Sequence, residues 1–528
     1  MDVVQQPLQS LSWSDAAYLA PEWILIVFMV GLAVIDLLLP RRVTRSFIGW
    51  LTLGGLLTSL GCVVWRLLDI NSAASATTNA NGQVVSGVIR LLADSYRIDN
   101  YASLFKIVFL TATALIVLMS LGSVKREDIA DKGEYYYLLL PAVVGAMIMA
   151  SSGDMLTLYI GLELLSITTY VLVGIRKHAV QSAEAAFKYV VTGGISSALI
   201  LFGMSYLYGI TGATNLGAMA QSIQQHAGDY KELLYVAFFF LLAGLGIKIA
   251  AAPFHVWAPD VYQGAPTPIT AFLAVVSKGA AFAIVFRLIY NVVFHATTPE
   301  APLADDVFLA MLIMAAAAMV IGSAAALRQK NVKRLLALSG VANAGYLLVP
   351  VSLSLNGMHV SNFGEFIFYL AVYLLMTIGA LAVVTVISAA AGHDEISGFA
   401  GLYYRAPWTA AAMIVFVLSL AGLPVTGGFF GKLFILLGAA QTQTYWIIAV
   451  MVASSVVSYY FYFGFIRQMF MRSTSEETVH VPVPTGLVIW ICAIATVAIG
   501  ILPGPMMSWV NDHFTIINDL FIGSQPGG

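Results

Sequence analysis

Apolar runs about twenty residues long recur from one end of this chain to the other, and a run of that length crosses a bilayer core as an α-helix. No other feature narrows the possible folds as far. Lipid offers no partner to backbone N–H and C=O groups, so open sheet edges are forbidden there, and barrel strands would alternate in polarity. These runs do not alternate. The expected fold class is therefore an all-α integral membrane protein of about fourteen transmembrane helices. The expected spans lie near 21–39, 46–68, 99–122, 134–151, 153–175, 183–209, 232–262, 267–294, 304–327, 332–354, 363–391, 408–440, 443–471 and 482–503. Of the 528 residues 60% are hydrophobic and only 10% charged, whereas a soluble domain carries about 25% charged residues.

Lysine and arginine placement sets the orientation, because basic loops stay in the cytoplasm. With the N-terminus outside, loops after odd-numbered spans hold fifteen of the 25 basic residues, among them Arg41, Arg42, Arg45, Lys125, Arg126, Arg176, Lys177, Lys333 and Arg334. The opposite side holds four, Arg66, Arg90, Arg97 and Lys231, and six lie within spans. Both termini are thus expected outside. Trp23–Leu39 has no basic segment ahead of it, so it reads as a first span and not as a cleaved signal. The stretch Asn71–Gly87 is expected to be an outer loop of little structure. A formal net charge of −2 argues against a nucleic-acid partner. Cys62 and Cys492 stand apart in apolar segments, away from any metal-ligand spacing, and read as core thiols.

Two spans are interrupted. Span 7 carries Pro253 and Pro259, and span 12 carries Gly422-Leu423-Pro424-Val425-Thr426-Gly427-Gly428. Proline frees a carbonyl one turn earlier, and such a break persists in lipid where it lines a polar cavity. The two breaks are five spans apart, so equivalent helices would run in opposite directions. That spacing suggests an inverted repeat. The expected division is helices 1–3 in 1–133, a first five-helix repeat in 134–294, a second in 304–471, and helix 14 with the tail in 482–528. Lys248 and Lys432 fall at corresponding breaks, whereas Lys188 in span 6 aligns with Tyr369 or Tyr373 in span 11.

An ionisable group in the membrane core costs a few kcal/mol or more and is kept where it is paired or functional. Glu163 is ten residues into span 5, about 15 Å along the helix, which is the midplane of the bilayer. Lys278 is as deep in span 8, and Lys248 and Lys432 sit beside the breaks. These four are the candidate proton carriers, with structural ion pairing as the alternative. Burial disfavours the charged form of a lysine or a carboxyl, and a nearby opposite charge restores it, so a Glu–Lys pair that opens and closes switches a lysine's hold on its proton. Arginine stays protonated and cannot serve. Lys188 stands one to two turns from the cytoplasm, placed either to snorkel or to join the chain. Lys106 and Arg287 lie about two turns from the outer face and are expected to snorkel. His255, at the break of span 7, reads as a helix-end hydrogen-bonding group, with proton uptake as the alternative. Gly244-Leu245-Gly246 has no third glycine and no preceding strand, and no phosphate-binding loop is present, so the sequence shows no site for NADH, flavin or ATP.

The segment Gly244–Ala283, containing PFHVWAPD at 253–260 and VYQGAPTPITAFLAVVSK at 261–278, resembles the antiporter-like subunits of respiratory complex I. Its second part is similar to the N-type subunit rather than the L or M types. GLPVTGGFFGK at 422–432 is a further motif of that family. The resemblance spans roughly residues 20–500. It implies two inverted five-helix repeats in a membrane-arm subunit of a proton-translocating NADH:quinone oxidoreductase. It implies a bacterial cell membrane, neighbouring antiporter-like subunits as partners, and NADH, FMN, iron–sulfur clusters and quinone bound on other subunits. It also implies a Glu163–Lys248 pair, a central relay at Lys278 and a terminal lysine at Lys432. Two alternatives remain at this point: a subunit of a multi-subunit cation/proton antiporter, and an assembly scaffold that does not pump.

Overall fold

The computed structural model describes residues 13–514 except 41–43, 72–76, 79–83, 86–87, 124–128, 130–131, 295–296, 299–300, 354–360 and 473–477, together with residue 520. Arg41, Arg42, Lys125 and Arg126 therefore lie outside the described residues.

Among the described residues thirteen helices are long and apolar enough to cross a membrane. In chain order spans 1–6 are Ala20–Leu38, Ser46–Ile70, Asn100–Ser123, Lys132–Ser151, Met155–Val173 and Val180–Thr211. Spans 7–11 are Lys231–Ile249, Thr267–Val293, Leu303–Ala326, Val332–Ser352 and Asn362–Ala391, and spans 13 and 14 are Tyr445–Phe470 and Val483–Ile501. Span 12 is built from two half-helices, Pro407–Ala421 and Gly427–Gln441. Every expected span is present, and the chain is an all-α membrane protein.

The helices sort by burial. Span 10 is buried along its whole crossing, and spans 8, 11 and 3 nearly so, while spans 1, 2, 6, 13 and 14 turn much of their surface outward. The outward surface is apolar, with Val27, Leu37, Trp65, Phe187, Ile195 and Tyr460 exposed. Lipid solvates such a face, so the usual rule that large apolar side chains go inside holds only for the central helices.

Both breaks are real, and each is closed by local chemistry. Span 7 ends where Ala250 takes a left-handed conformation (φ 57°), and a short helix, Trp257–Gly264, resumes after it. The Trp257 indole donates to the Ile247 carbonyl at 2.9 Å and Ser196 donates to the Gly244 carbonyl at 2.7 Å, so the last turn before the break is satisfied. In span 12 the first half-helix ends on Gly422 at φ 84°, where a Cβ would also press on the Lys432 side chain. The Ser419 hydroxyl accepts from the Gly428 N–H at 3.1 Å and ties the second half-helix to the first.

Span 8 is irregular in a way its sequence did not announce. It is α-helical over Thr267–Phe272 and Lys278–Leu288 but π-helical over Leu273–Ser277 and Ile289–Val293. A π turn widens the helix and is common at functional sites; one of these ends directly before Lys278. The connection between spans 2 and 3 is less bare than expected. Thr77–Thr78 pairs with Val84–Val85, and Ile89–Leu91 pairs with Tyr96–Ile98, both antiparallel. The second hairpin buries Tyr96 and Ile98 against the membrane helices and closes over their ends.

Candidate functional site: a buried line of lysines and hydroxyls

Lys278 is 3% exposed, and its ammonium donates to the Gly340 carbonyl of span 10 at 2.7 Å. It also lies 5.6 Å from the centre of the Tyr373 ring of span 11. Lys432 donates to the carbonyls of Leu420 and Ala421, at 2.9 and 3.3 Å, which are the groups the break in span 12 sets free. Its ammonium sits 4.7 Å from the centre of the Tyr346 ring. Among the described residues no carboxylate lies within 4.0 Å of either lysine. Only backbone dipoles and aromatic faces solvate them, so a full positive charge on either is poorly compensated.

Neutral polar groups fill the space between these two lysines. Ser339, next to Gly340, is hydrogen-bonded to the Tyr462 hydroxyl of span 13 and lies 3.3 Å from the Asn343 amide. Asn343 accepts from the Tyr369 hydroxyl at 2.6 Å. The Tyr369 ring is 6.3 Å from that of Tyr346, whose hydroxyl meets Ser455 at 2.8 Å. Between Lys278 and Lys432, spans 10, 11 and 13 thus hold a hydrogen-bonded set, Tyr462–Ser339–Asn343–Tyr369, flanked by aromatic contacts to Tyr346 and Lys432. Sequence reading missed Ser339, Asn343, Tyr346 and Tyr462. Helical spacing was the available signal, because residues 339, 343 and 346 fall on one face of span 10, as 369, 373 and 377 do on span 11.

Lys248 makes a second cluster. Its ammonium donates to the Ser166 hydroxyl at 2.8 Å and lies 3.5 Å from that of Ser197. Glu163 is one turn before Ser166 on span 5, and its Oε1 is buried without a hydrogen-bond partner. The two groups are not within ion-pair distance among the described residues, so Ser166 stands where the expected Glu163–Lys248 contact would be. From Ser166 the polar groups continue to Thr169 one turn on, then to the Tyr189 hydroxyl at 3.4 Å, which faces Ser277 beside Lys278.

The correspondence between the two breaks is looser than expected. Lys248 precedes its break by two residues, whereas Lys432 follows its own and reaches back to it. Lys188 is 40% exposed and pairs with Glu184 at 2.8 Å and Asp260 at 2.7 Å; Arg334 holds the other side of Asp260 at 2.5 Å. It belongs to an ion-pair network around a small cleft of about 160 Å³ and not to the buried line. His255 sits at the break of span 7, where its ring meets the Pro253 backbone carbonyl as a helix-end group would, while its Nδ1 is buried without a hydrogen-bond partner.

Lys106 and Arg287 do not snorkel. Both are fully buried: Lys106 pairs with Glu22 at 2.8 Å and donates to the Tyr96 hydroxyl at 2.7 Å, and Arg287 pairs with Asp99 at 2.5 Å. Depth along one helix misplaced them, because spans 1 and 2 and the Ile89–Ile98 hairpin pack over the route to water.

On the face that carries the described basic loops a cavity of about 570 Å³ opens among the ends of spans 3, 6, 8, 10 and 11 and the short helix that follows the break of span 7. Thr267 and Pro268 of span 8, Thr385 and Ser388 of span 11, and the Lys333–Asp394 pair (3.0 Å) line it. Lys333 also donates to the Ala265 carbonyl at 3.2 Å, so it ties the start of span 10 to the break. No cluster of His, Cys, Asp and Glu able to hold a metal occurs among the described residues.

This architecture, two interrupted spans with buried lysines beside them, defines a class, and the chain belongs to the membrane-subunit family described as NADH:quinone oxidoreductase/Mrp antiporter, whose model matches residues 152–458. Within that class it is 63% identical over 97% of its length, and 99% of the relative's, to NADH-quinone oxidoreductase subunit N of Paenibacillus. It is 45% identical to the subunit N of Brevibacillus brevis over 95% of each chain. Among solved structures it is similar to a chain of respiratory complex I from Thermus thermophilus with bound aureothin, at 30% identity and a TM-score of 0.73, covering 92% of this chain and 98% of that one. A chain of the Mrp complex from Dietzia, at 19% identity, TM-score 0.77 and coverage of 94% and 96%, shares the fold.

Proposed function

We propose that this chain is a proton-translocating subunit in the membrane arm of a bacterial NADH:quinone oxidoreductase, and that Lys248, Lys278 and Lys432 carry protons along the buried polar line. The relatives named as subunit N, matched nearly end to end, support the enzyme assignment over the antiporter alternative. The observation that supports the mechanism is the cluster of hydroxyl, amide and aromatic groups that stands between Lys278 and Lys432. In this reading neighbouring antiporter-like subunits flank the chain in the lipid bilayer. NADH, FMN, iron–sulfur clusters and quinone act on other subunits, both termini face outward, and spans 4–8 and 9–13 form the two inverted repeats.

A proton is taken up from the cytoplasmic cavity at the break between spans 7 and 8, near Thr267 and Pro268. Lys248 binds it while Ser166 and Ser197 solvate the ammonium. When Glu163 approaches, the pair holds the proton; when it withdraws to the separation seen here, the buried ammonium is destabilised and the proton moves on to Lys278. Waters between Tyr373, Ser339, Asn343 and Tyr369 carry it to Lys432, from which it leaves outward. Lys188, by contrast, anchors the cytoplasmic surface through Glu184 and Asp260 and tunes uptake at its edge. Lys278→Met and Glu163→Gln are expected to lower proton pumping and coupled quinone reduction while NADH oxidation by an artificial acceptor stays intact. Normal pumping in both variants would refute these roles.

A further inference from the structure

Span 8 changes character at Lys278. The part that leads to it from the basic cavity carries Thr267, Thr270 and Ser277, whereas Gly279–Phe286 beyond it hold no polar side chain. Spans 3, 8 and 11 each reach that cavity, with Ser123, Thr267 and Thr385 in its lining, so their other ends lie at the opposite face. Between Lys278 and that face the three helices meet in aromatic rings. Phe282 stands one turn beyond Lys278, and Phe286 one turn beyond Phe282. On span 11 Phe366 lies two turns from Tyr373, the ring beside Lys278, and hence on the same face, about 10 Å further on. Span 3 adds Phe109, which a Cβ on Gly279 would approach at 3.1 Å, and then Phe105 and Tyr101, one and two turns further.

The rings interlock across the helices. Ring centres are 5.3 Å apart for Phe282 and Phe366, 4.7 Å for Phe286 and Phe366, and 5.9 Å for Phe105 and Phe366, so Phe366 meets rings from both other spans. Phe363 joins Phe105 and Phe286 at 6.1 and 5.7 Å and is covered by Phe514 at 3.9 Å. Phe105, Phe109, Phe282, Phe286 and Phe366 have no exposed surface. The polar groups at the edge of the block are engaged elsewhere: Arg287 faces Asp99 at 2.5 Å, Lys106 faces Glu22 at 2.8 Å, and the Tyr101 hydroxyl donates to the Ala283 carbonyl at 2.7 Å. Water stays in a buried space only where polar groups hold it, and a dry apolar constriction interrupts a water chain. A proton moves only to an acceptor within hydrogen-bond reach, directly or through water. The block provides neither, whereas to its side Lys278 has the Gly340 carbonyl and, next to it, Ser339.

We propose that Phe282, Phe286 and Phe366, with Phe105 behind them, insulate Lys278 from the face opposite the cavity: they keep that part of the interior dry, so a proton on Lys278 is left only the lateral route toward Lys432. The rings exchange no proton themselves; they set the direction in which one can travel.

The proposal rests on the pumping reading above, and the test separates the two. The whole complex is reconstituted in proteoliposomes, a pH gradient is imposed without NADH, and its decay is followed with an internal pH dye. Phe286→Asn, which places an amide inside the block, is expected to speed the decay at least about tenfold over wild type, the change that a barrier lower by about 1.4 kcal/mol gives. It is also expected to lower the proton-to-electron ratio once NADH is added. Phe286→Leu leaves only apolar space, which stays dry, and is expected to hold the gradient as wild type does. Wild-type decay in Phe286→Asn would overturn the proposal. So would a leak in Phe286→Leu as fast as that in Phe286→Asn, because loosened packing and not admitted water would then be the cause. Should Phe286→Asn fail to assemble, Phe366→Asn decides by the same readout: fast decay supports the seal, and wild-type decay contradicts it. Lys278→Met in the same vesicles tests the pumping reading alone. Wild-type pumping there, with fast decay in the asparagine variant, would sustain the seal and overturn the lysine's role; lost pumping there, with wild-type decay in the asparagine variant, would do the reverse.

Discussion

A lysine held in hydrocarbon differs from an arginine in one respect that matters here, since it can become neutral. Lys278 and Lys432 have no carboxylate beside them among the described residues, whereas the buried Arg287 is matched by Asp99 at 2.5 Å. The arginine is thus a fixed structural charge. Asp99→Ala would remove the carboxylate that faces it in a fully buried site, at a cost of about 3–5 kcal/mol, and is expected to lower the amount of assembled complex on native gels. Normal assembly and melting would contradict that role. The deep groups Glu163, Lys248, Lys278 and Lys432 were legible in the sequence because residue type and depth along a helix need no knowledge of neighbours. Lys106 and Arg287 were not, because their burial depends on what packs over the helix end. Ser166 was also hidden, since a serine in an apolar helix acquires meaning only when another helix brings Lys248 to it.

The elements that matter most are the interrupted ones. Their existence followed from Pro253 and from the glycines around Pro424, but not their detail; the left-handed Ala250 and the two π segments in span 8 are set by tertiary packing. In span 12 a Cβ on Gly428 would lie 1.9 Å from the Ser419 carbonyl oxygen. Gly428→Ala must therefore push the half-helices apart, at about 1–3 kcal/mol for such overpacking, and is expected to lower both melting temperature and pumping; an unchanged pumping ratio would separate the break from transport. At the end that bears the basic cavity, burial pushes the Asp394 carboxyl up, but the Lys333 ammonium at 3.0 Å, together with Ser388 and Arg176, holds it below the ordinary carboxylate range. A carboxyl lowered by folding stabilises at neutral pH, and that contribution fades as pH falls through its folded value. The melting-temperature gap between wild type and Lys333→Met should accordingly be widest near pH 7 and narrow towards about pH 4. A gap constant with pH would contradict the pairing.

At the scale of the whole molecule, polarity is arranged in layers: an apolar girdle faces lipid, four deeply buried helices form the centre, and the polar line runs between them. Helix count and membrane class were legible from run length alone, because lipid leaves the backbone so few alternatives. The line was not, since its members come from five different spans. The proposed orientation makes a direct prediction. A cysteine placed at exposed Ser508 should react with an impermeant maleimide from outside intact cells, and one at Ser397 only in inverted vesicles; the reverse pattern would invert the direction of transport. The central claim is that the lysines work by giving up protons and not by being positive. Its most direct test is the proton-to-electron ratio of the reconstituted complex carrying Lys278→Arg, with Lys278→Met alongside. The account predicts that both lower the ratio alike, because arginine keeps the charge but does not release the proton, and a wild-type ratio with arginine in place would contradict it.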